Sequence, residues 1–189
     1  MNPNKDSVSV LLTKIQNGDE RIRSMALDEC AGLGVDVIKP LVELAEKSGF
    51  ETVRMAKRCL WKIVRYSGSP GNEDLRRRVC GRLGEVINNC SVEIKREILW
   101  MFSEIGGDES VPIIARFLRD KDLREDARCS LERIPTRNSL SVLRKAFEDA
   151  SDDFKYALAD SLRFRGVKVK GCPSKKLVPM RQTNVGRKV

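Results

Sequence analysis

The chain contains no histidine. That gap removes a Ser-His-Asp triad and a Cys-His pair. It also removes the side chain that most often works as a general base near neutral pH. Carboxylates and lysines remain, but their spacing isolates no pair from an ordinary solvated face, so a non-catalytic protein is expected. Aromatic residues are only 5% of the 189 positions, against 33% charged. That balance suits amphipathic helices better than a β-rich core. No run of eighteen apolar residues occurs, so no membrane span is read. The opening residues, MNPNKDSVSVLLTKIQNGDE, lack the apolar region and small-residue cleavage site of an export signal. A cytoplasmic location is the default expectation. Six cysteines without export read as free thiols. None forms a CxxC pair, and a zinc site would have to be assembled from scattered thiolates. Cys30, Cys59 and Cys129 fall on or beside apolar stripes and read as small core residues. No cofactor and no metal is expected.

What is present is self-similarity. Counting three, seven and ten residues onward from Arg23 gives Ala26, Cys30 and Leu33. The same count from Val53 gives Ala56, Leu60 and Ile63; from Arg76, Val79, Leu83 and Val86. From Lys95 it gives Ile98, Phe102 and Ile105; from Arg124, Ala127, Leu131 and Ile134. From Lys155 it gives Leu158 and Leu162, and the third place holds Arg165, which breaks the pattern. Such spacing is one apolar helix stripe, repeated at a period near thirty residues, the mark of a stacked helical array.

Capping and stop signals divide the chain into ten helices in five antiparallel pairs. Val10, Leu11 and Ile15 are the expected inward residues of the first, which Gly18 closes. Asp19 caps the second and Gly34 ends it. Asp36 is the expected cap of the third, with Pro40 in its first turn, where the N–H has no helical partner. The fourth, FETVRMAKRCLWKIVRY, runs into SGSPGN, the clearest internal break. A fifth covers about 73–88. Ser91 caps the sixth, which stops at Gly106-Gly107, and Pro112 opens the seventh. The eighth stops at Pro135, and two more follow, ending at Gly166. Connections of two to four residues fit packed helix pairs.

ERIRSMALDECAGLG, VEIKREILWMFSEIG and DLREDARCSLERI resemble the second helix of HEAT repeats, in the short bacterial form called PBS-lyase HEAT-like. DVIKPLVELAEKSG and ESVPIIARFLRD resemble the first helix. The resemblance covers about residues 7–166 and implies an all-α superhelix, an α-solenoid of about five antiparallel helix pairs. Residues 1–166 are then the solenoid and 167–189 a basic, proline-containing tail. The fourth helix departs by carrying Thr52 and Val53 where an apolar–basic pair is usual. The fifth carries the second-helix pattern where a first helix belongs, which leaves the register over 67–88 open. The family includes scaffolds, adaptors, bilin-attachment proteins and, distantly, DNA-repair glycosylases. It therefore implies a fold more than a function.

Net charge is +9, unevenly spread. Residues 167–189 hold seven basic groups and no acid; residues 51–84 hold nine basic groups and three acids. Within that block Arg54, Arg58, Lys62 and Arg65 recur at helix spacing and share one face. Arg78 and Arg82 do the same on the next helix, and Trp61 and Tyr66 lie nearby. In a HEAT-like stack the second helices line the concave groove, so the resemblance implies that Arg54 to Arg65 face it. A protein or peptide partner with acidic patches would suit Arg54, Arg58, Trp61, Lys62, Arg65, Arg78 and Arg82. The alternative is nucleic acid or a phosphate ligand held by the same block and the tail. Glu97, Asp126 and Asp160 on neighbouring second helices count against a long nucleic-acid track. Within the tail, Leu177 to Met180 either docks on the array or belongs to a free polybasic arm.

Overall fold

The computed structural model describes residues 3–150 and 153–174. Among them are ten α-helices and no strand: α1 (Pro3–Ile15), α2 (Glu20–Glu29), α3 (Ile38–Lys47), α4 (Phe50–Ser67), α5 (Glu73–Val86), α6 (Val92–Ile105), α7 (Val111–Ala115), α8 (Arg124–Arg133), α9 (Arg137–Asp149) and α10 (Phe154–Phe164). Three single turns of tighter 3-10 helix extend α2, α5 and α7, over Cys30–Leu33, Ile87–Asn89 and Arg116–Arg119.

The helices start where side chains can take up orphan amides. Asp19 accepts from the Arg21 N–H at 2.8 Å. Ser91 accepts from Ile94 at 3.4 Å, and Thr136 from Ser139 at 3.2 Å. Asp36 does not cap α3. That helix begins at Ile38 behind Val37 with no side-chain cap, and the Asp36 carboxylate lies 3.9 Å from Arg82 instead. Gly34 ends the second helix with φ 68° and ψ −144°, a positive-φ conformation outside the left-handed helical region and open to glycine.

Neighbouring helices pack in pairs: α1 on α2, α3 on α4, α5 on α6, α7 on α8 and α9 on α10. The even-numbered helices also form an unbroken succession, α2 on α4, α4 on α6, α6 on α8 and α8 on α10. Among the odd ones α5 packs on α3, and α9 on α7. This fixes the register over 67–88. Helix α5 carries the stripe of an even helix yet lies against α3, α4 and α6.

The apolar stripes build one continuous core. Every counted stripe residue is buried except Leu33, which is half-buried. Helix α6 is the most deeply enclosed, with Ile98, Leu99, Met101 and Phe102 all at zero exposure. Burying one such side chain contributes about 1.5–3 kcal/mol. In α1, Leu11 and Ile15 point inward as expected, but Val10 is 54% exposed. Past α10 the backbone turns at Gly166, φ 79°. Val167 and Val169 lie against the core, and Cys172 is buried with its carbonyl accepting from Arg163. Leu177 to Met180 lie outside the described residues.

Candidate functional site

Four of the expected cations, Arg54, Arg58, Lys62 and Arg65, sit on α4, inside the even-numbered succession. Its neighbours α2 and α6 bring carboxylates to them. Lys62 Nζ meets Asp28 of α2 at 3.0 Å, and Lys57 meets Glu93 of α6 at 2.5 Å. Trp61 Nε1 donates to Glu97 of α6 at 2.5 Å. The Arg65 guanidinium stacks over the Trp61 ring, 5.2 Å from its centre, with Glu104 at 4.0 Å. Arg54 turns back onto Glu51 of its own helix at 2.6 Å. These hydrogen bonds from Arg54 and Lys57 hold the Glu51 and Glu93 carboxyls below the ordinary carboxylate range.

Lys62, Arg65 and the adjoining Trp61 thus reach carboxylates on neighbouring helices, and Arg54 one on its own. Arg58 is the exception: it is exposed, with no ion-pair partner among the described residues. The ties continue along the succession. Arg96 and Trp100 of α6 both reach Asp126 of α8, at 3.0 and 3.1 Å. Arg128 of α8 donates to Ser161 of α10 at 2.6 Å, and Ser161 donates to Glu132 at 2.6 Å. Glu97 and Asp126, which counted in the sequence as obstacles to nucleic acid, are the partners in this ladder.

Arg78 and Arg82 are not brought onto α4. Both belong to α5, where Arg82 binds Glu85 at 2.6 Å and approaches Asp36, while Arg78 is exposed. The seven expected residues therefore divide between two helices with different neighbours.

The same counting that located the core also finds outward residues the sequence reading passed over. On a helix whose core lies at three, seven and ten residues from the anchor, positions one, five and nine point away from it. Position five is Arg58 on α4 and Trp100 on α6. Position nine is Lys62 on α4 and Phe164 on α10; position one is Arg54 on α4 and Tyr156 on α10. Trp100 is 43% exposed, Tyr156 53% and Phe164 72%. Among the described residues, seven of the eight large apolar side chains that stand out into solvent lie on even-numbered helices, and only Val10 does not. At these outward positions α4 carries cations, α6 carries Trp100 between Arg96 and Glu104, and α10 carries Tyr156 and Phe164 on either side of Asp160.

No group of three or more histidine, cysteine or acidic side chains suited to a metal ion occurs among the described residues. No helix among them is long and apolar enough to cross a membrane. No protein-family model matches the chain, and no curated protein matches its sequence.

Proposed function

We propose that the protein is a non-catalytic scaffold or adaptor of the HEAT-like helical-repeat kind. In this reading the ten helices form an α-solenoid, and the outward side of the even-numbered helices receives a protein or peptide partner. One observation carries it: exposed apolar side chains concentrate on the even helices, and three of them, Trp100, Tyr156 and Phe164, fall at register positions occupied on α4 by cations. Contiguous apolar surface left open on a protein marks contact with another molecule, and in this reading these side chains form one such surface. The ladder of ties between even helices holds that surface in one shape, so a partner loses little free energy to ordering it. A partner with carboxylates for Arg58 and Arg65, and apolar side chains for Trp100 and Phe164, fits this arrangement.

The test is affinity purification with the wild-type chain and the double variant Arg58→Glu/Trp100→Ala, followed by mass spectrometry. The variant is expected to lose specific partners while its melting temperature stays near that of the wild type. Recovery of the same partners by both proteins would remove the proposal.

Nucleic acid is the second reading. It is favoured by Arg58 and Arg78, which have no ion-pair partner among the described residues, and by the acid-free tail with its seven basic groups. It requires affinity that falls steeply with salt as counterions are released. Gel shift at ~50 mM salt with duplex and single strands decides it, since phosphate-driven binding is strong there.

A further inference from the structure

A groove lies between α7, with its 3-10 extension, and α9. It is a cavity of about 770 Å³, within the size range of ligand clefts. Arg116, Arg119, Lys121 and Lys145 line it, and all four are exposed with no ion-pair partner among the described residues. This is the reverse of α4, where carboxylates meet most of the cations. One acid, Asp149, shares the lining. The floor is apolar and shallow. Ala115, Ala146 and Ala150 keep it low, and Leu118 and Val142 add to it.

We propose that this groove binds an acidic amphipathic helix of a partner protein. Arg116 and Arg119 lie three residues apart on one wall and so point the same way, while Lys145 stands on the other wall, on α9. An occupant must offer carboxylates on both flanks of an apolar ridge. A helix with a narrow apolar stripe between two acidic edges does so. The alanine floor lets large ridge side chains come close to the backbone of α9. Nucleic acid fits less well, because bases need open rings to stack on. The one aromatic ring in the lining, Phe154, is 5% exposed and lies under the Arg124 guanidinium at 4.7 Å. This groove is separate from the outward positions on α4, α6 and α10, so the two proposals stand or fall apart.

The experiment is selection of displayed random peptides of about sixteen residues, roughly 24 Å as a helix, on the immobilised full chain. The variant Arg116→Glu/Arg119→Glu/Lys145→Glu serves for counter-selection. Fluorescence anisotropy then measures the survivors and a random oligonucleotide. Expected survivors carry leucine, isoleucine, methionine or phenylalanine at three- and four-residue spacing, with acids on both sides. Their binding falls by about tenfold or more, a change of ~1.4 kcal/mol, in the triple variant and in Ala146→Glu, and is unchanged in Arg58→Glu/Trp100→Ala. Circular dichroism confirms the fold of each variant; the triple variant alters only rim residues, so it serves even where Ala146→Glu misfolds. No survivors beyond counter-selection, survivors without acids, or an oligonucleotide with the same dependence on the triple variant would overturn the proposal.

Discussion

Arg165 is where the repeat pattern fails and where the structure shows what replaces it. Its guanidinium donates to the carbonyls of Leu131, Ile134 and Thr136 at 3.1, 2.7 and 3.0 Å, and to the Ser139 hydroxyl at 3.0 Å. The Leu131 and Ile134 carbonyls lie at the end of α8, where a helix runs out of its own donors, and Thr136 caps the start of α9. Arg165→Leu restores the apolar pattern but removes these charge-assisted hydrogen bonds, although the Ile134 and Thr136 carbonyls keep the Ser139 hydroxyl. It is expected to cost about 2 kcal/mol, or about 4–8 °C in melting temperature for a chain of this size, read by thermal unfolding. The cysteines separate in the same way by environment. Burial pushes the Cys80 and Cys90 thiols up to about 11. Cys59 is raised too, first by its hydrogen bond with Cys30 and then by burial. Since the thiolate is the reactive form, these three are expected to resist alkylation at pH 8 until the chain unfolds, which mass spectrometry of labelled peptides reads directly. The apolar stripes were legible because a side chain's own helix sets its period. Arg165 was not, because its partners are backbone carbonyls some thirty residues back.

Among the elements, α6 is the hub. It packs against α4, α5 and α8, and its core face admits no solvent at Ile98 or Phe102. Phe102→Ala is expected to cost about 3–5 kcal/mol. Its C-terminus is as tightly fitted. A Cβ on Gly106 would lie 2.5 Å from the Phe102 carbonyl oxygen and 2.9 Å from Ile134. Gly106→Ala should therefore destabilise by about 1–3 kcal/mol, measured by denaturant unfolding. The same end is tied to α5, where Arg76 donates to the Ile105 carbonyl at 2.7 Å and to Glu109 at 2.6 Å. Burial works against ionising Glu109, yet this hydrogen bond and local backbone amides hold its pKa below the ordinary value. Its stabilising effect is then present above the unfolded-chain pKa, about 4.3, and is lost as pH falls through the depressed native value. Glu109→Gln is expected to lower the melting temperature at pH 7, with the deficit closing toward pH 3. A deficit independent of pH would show that the carboxylate charge plays no part. The element list was largely legible from caps and glycines. The placement of α5 was not, since its stripe matches the even helices and only packing against α3 assigns it.

At the scale of the molecule, each even helix is bonded to its immediate neighbours. The side-chain ties join residues 36 positions apart in Lys57–Glu93 and Trp61–Glu97, and 30 apart in Arg96–Asp126. The sequence displayed both members of each pair, but as a basic stripe on one helix and acids on the next. Only the spacing between helices turns them into partners. Stability in such an array is close to a sum over neighbouring contacts. Native-state hydrogen exchange is therefore expected to be slowest in α6 and fastest in α1, which has neighbours on one side only. Uniform protection across all ten helices would contradict that gradient.

The place that holds Ile63, Ile105 and Ile134 in or at the end of earlier helices is a guanidinium at the C-cap of α10, and its hydrogens are already spoken for. An engineer lengthening the protein behind α10 would have to leave that arginine in place, since its fixed positive charge already serves α8 and the turn into α9.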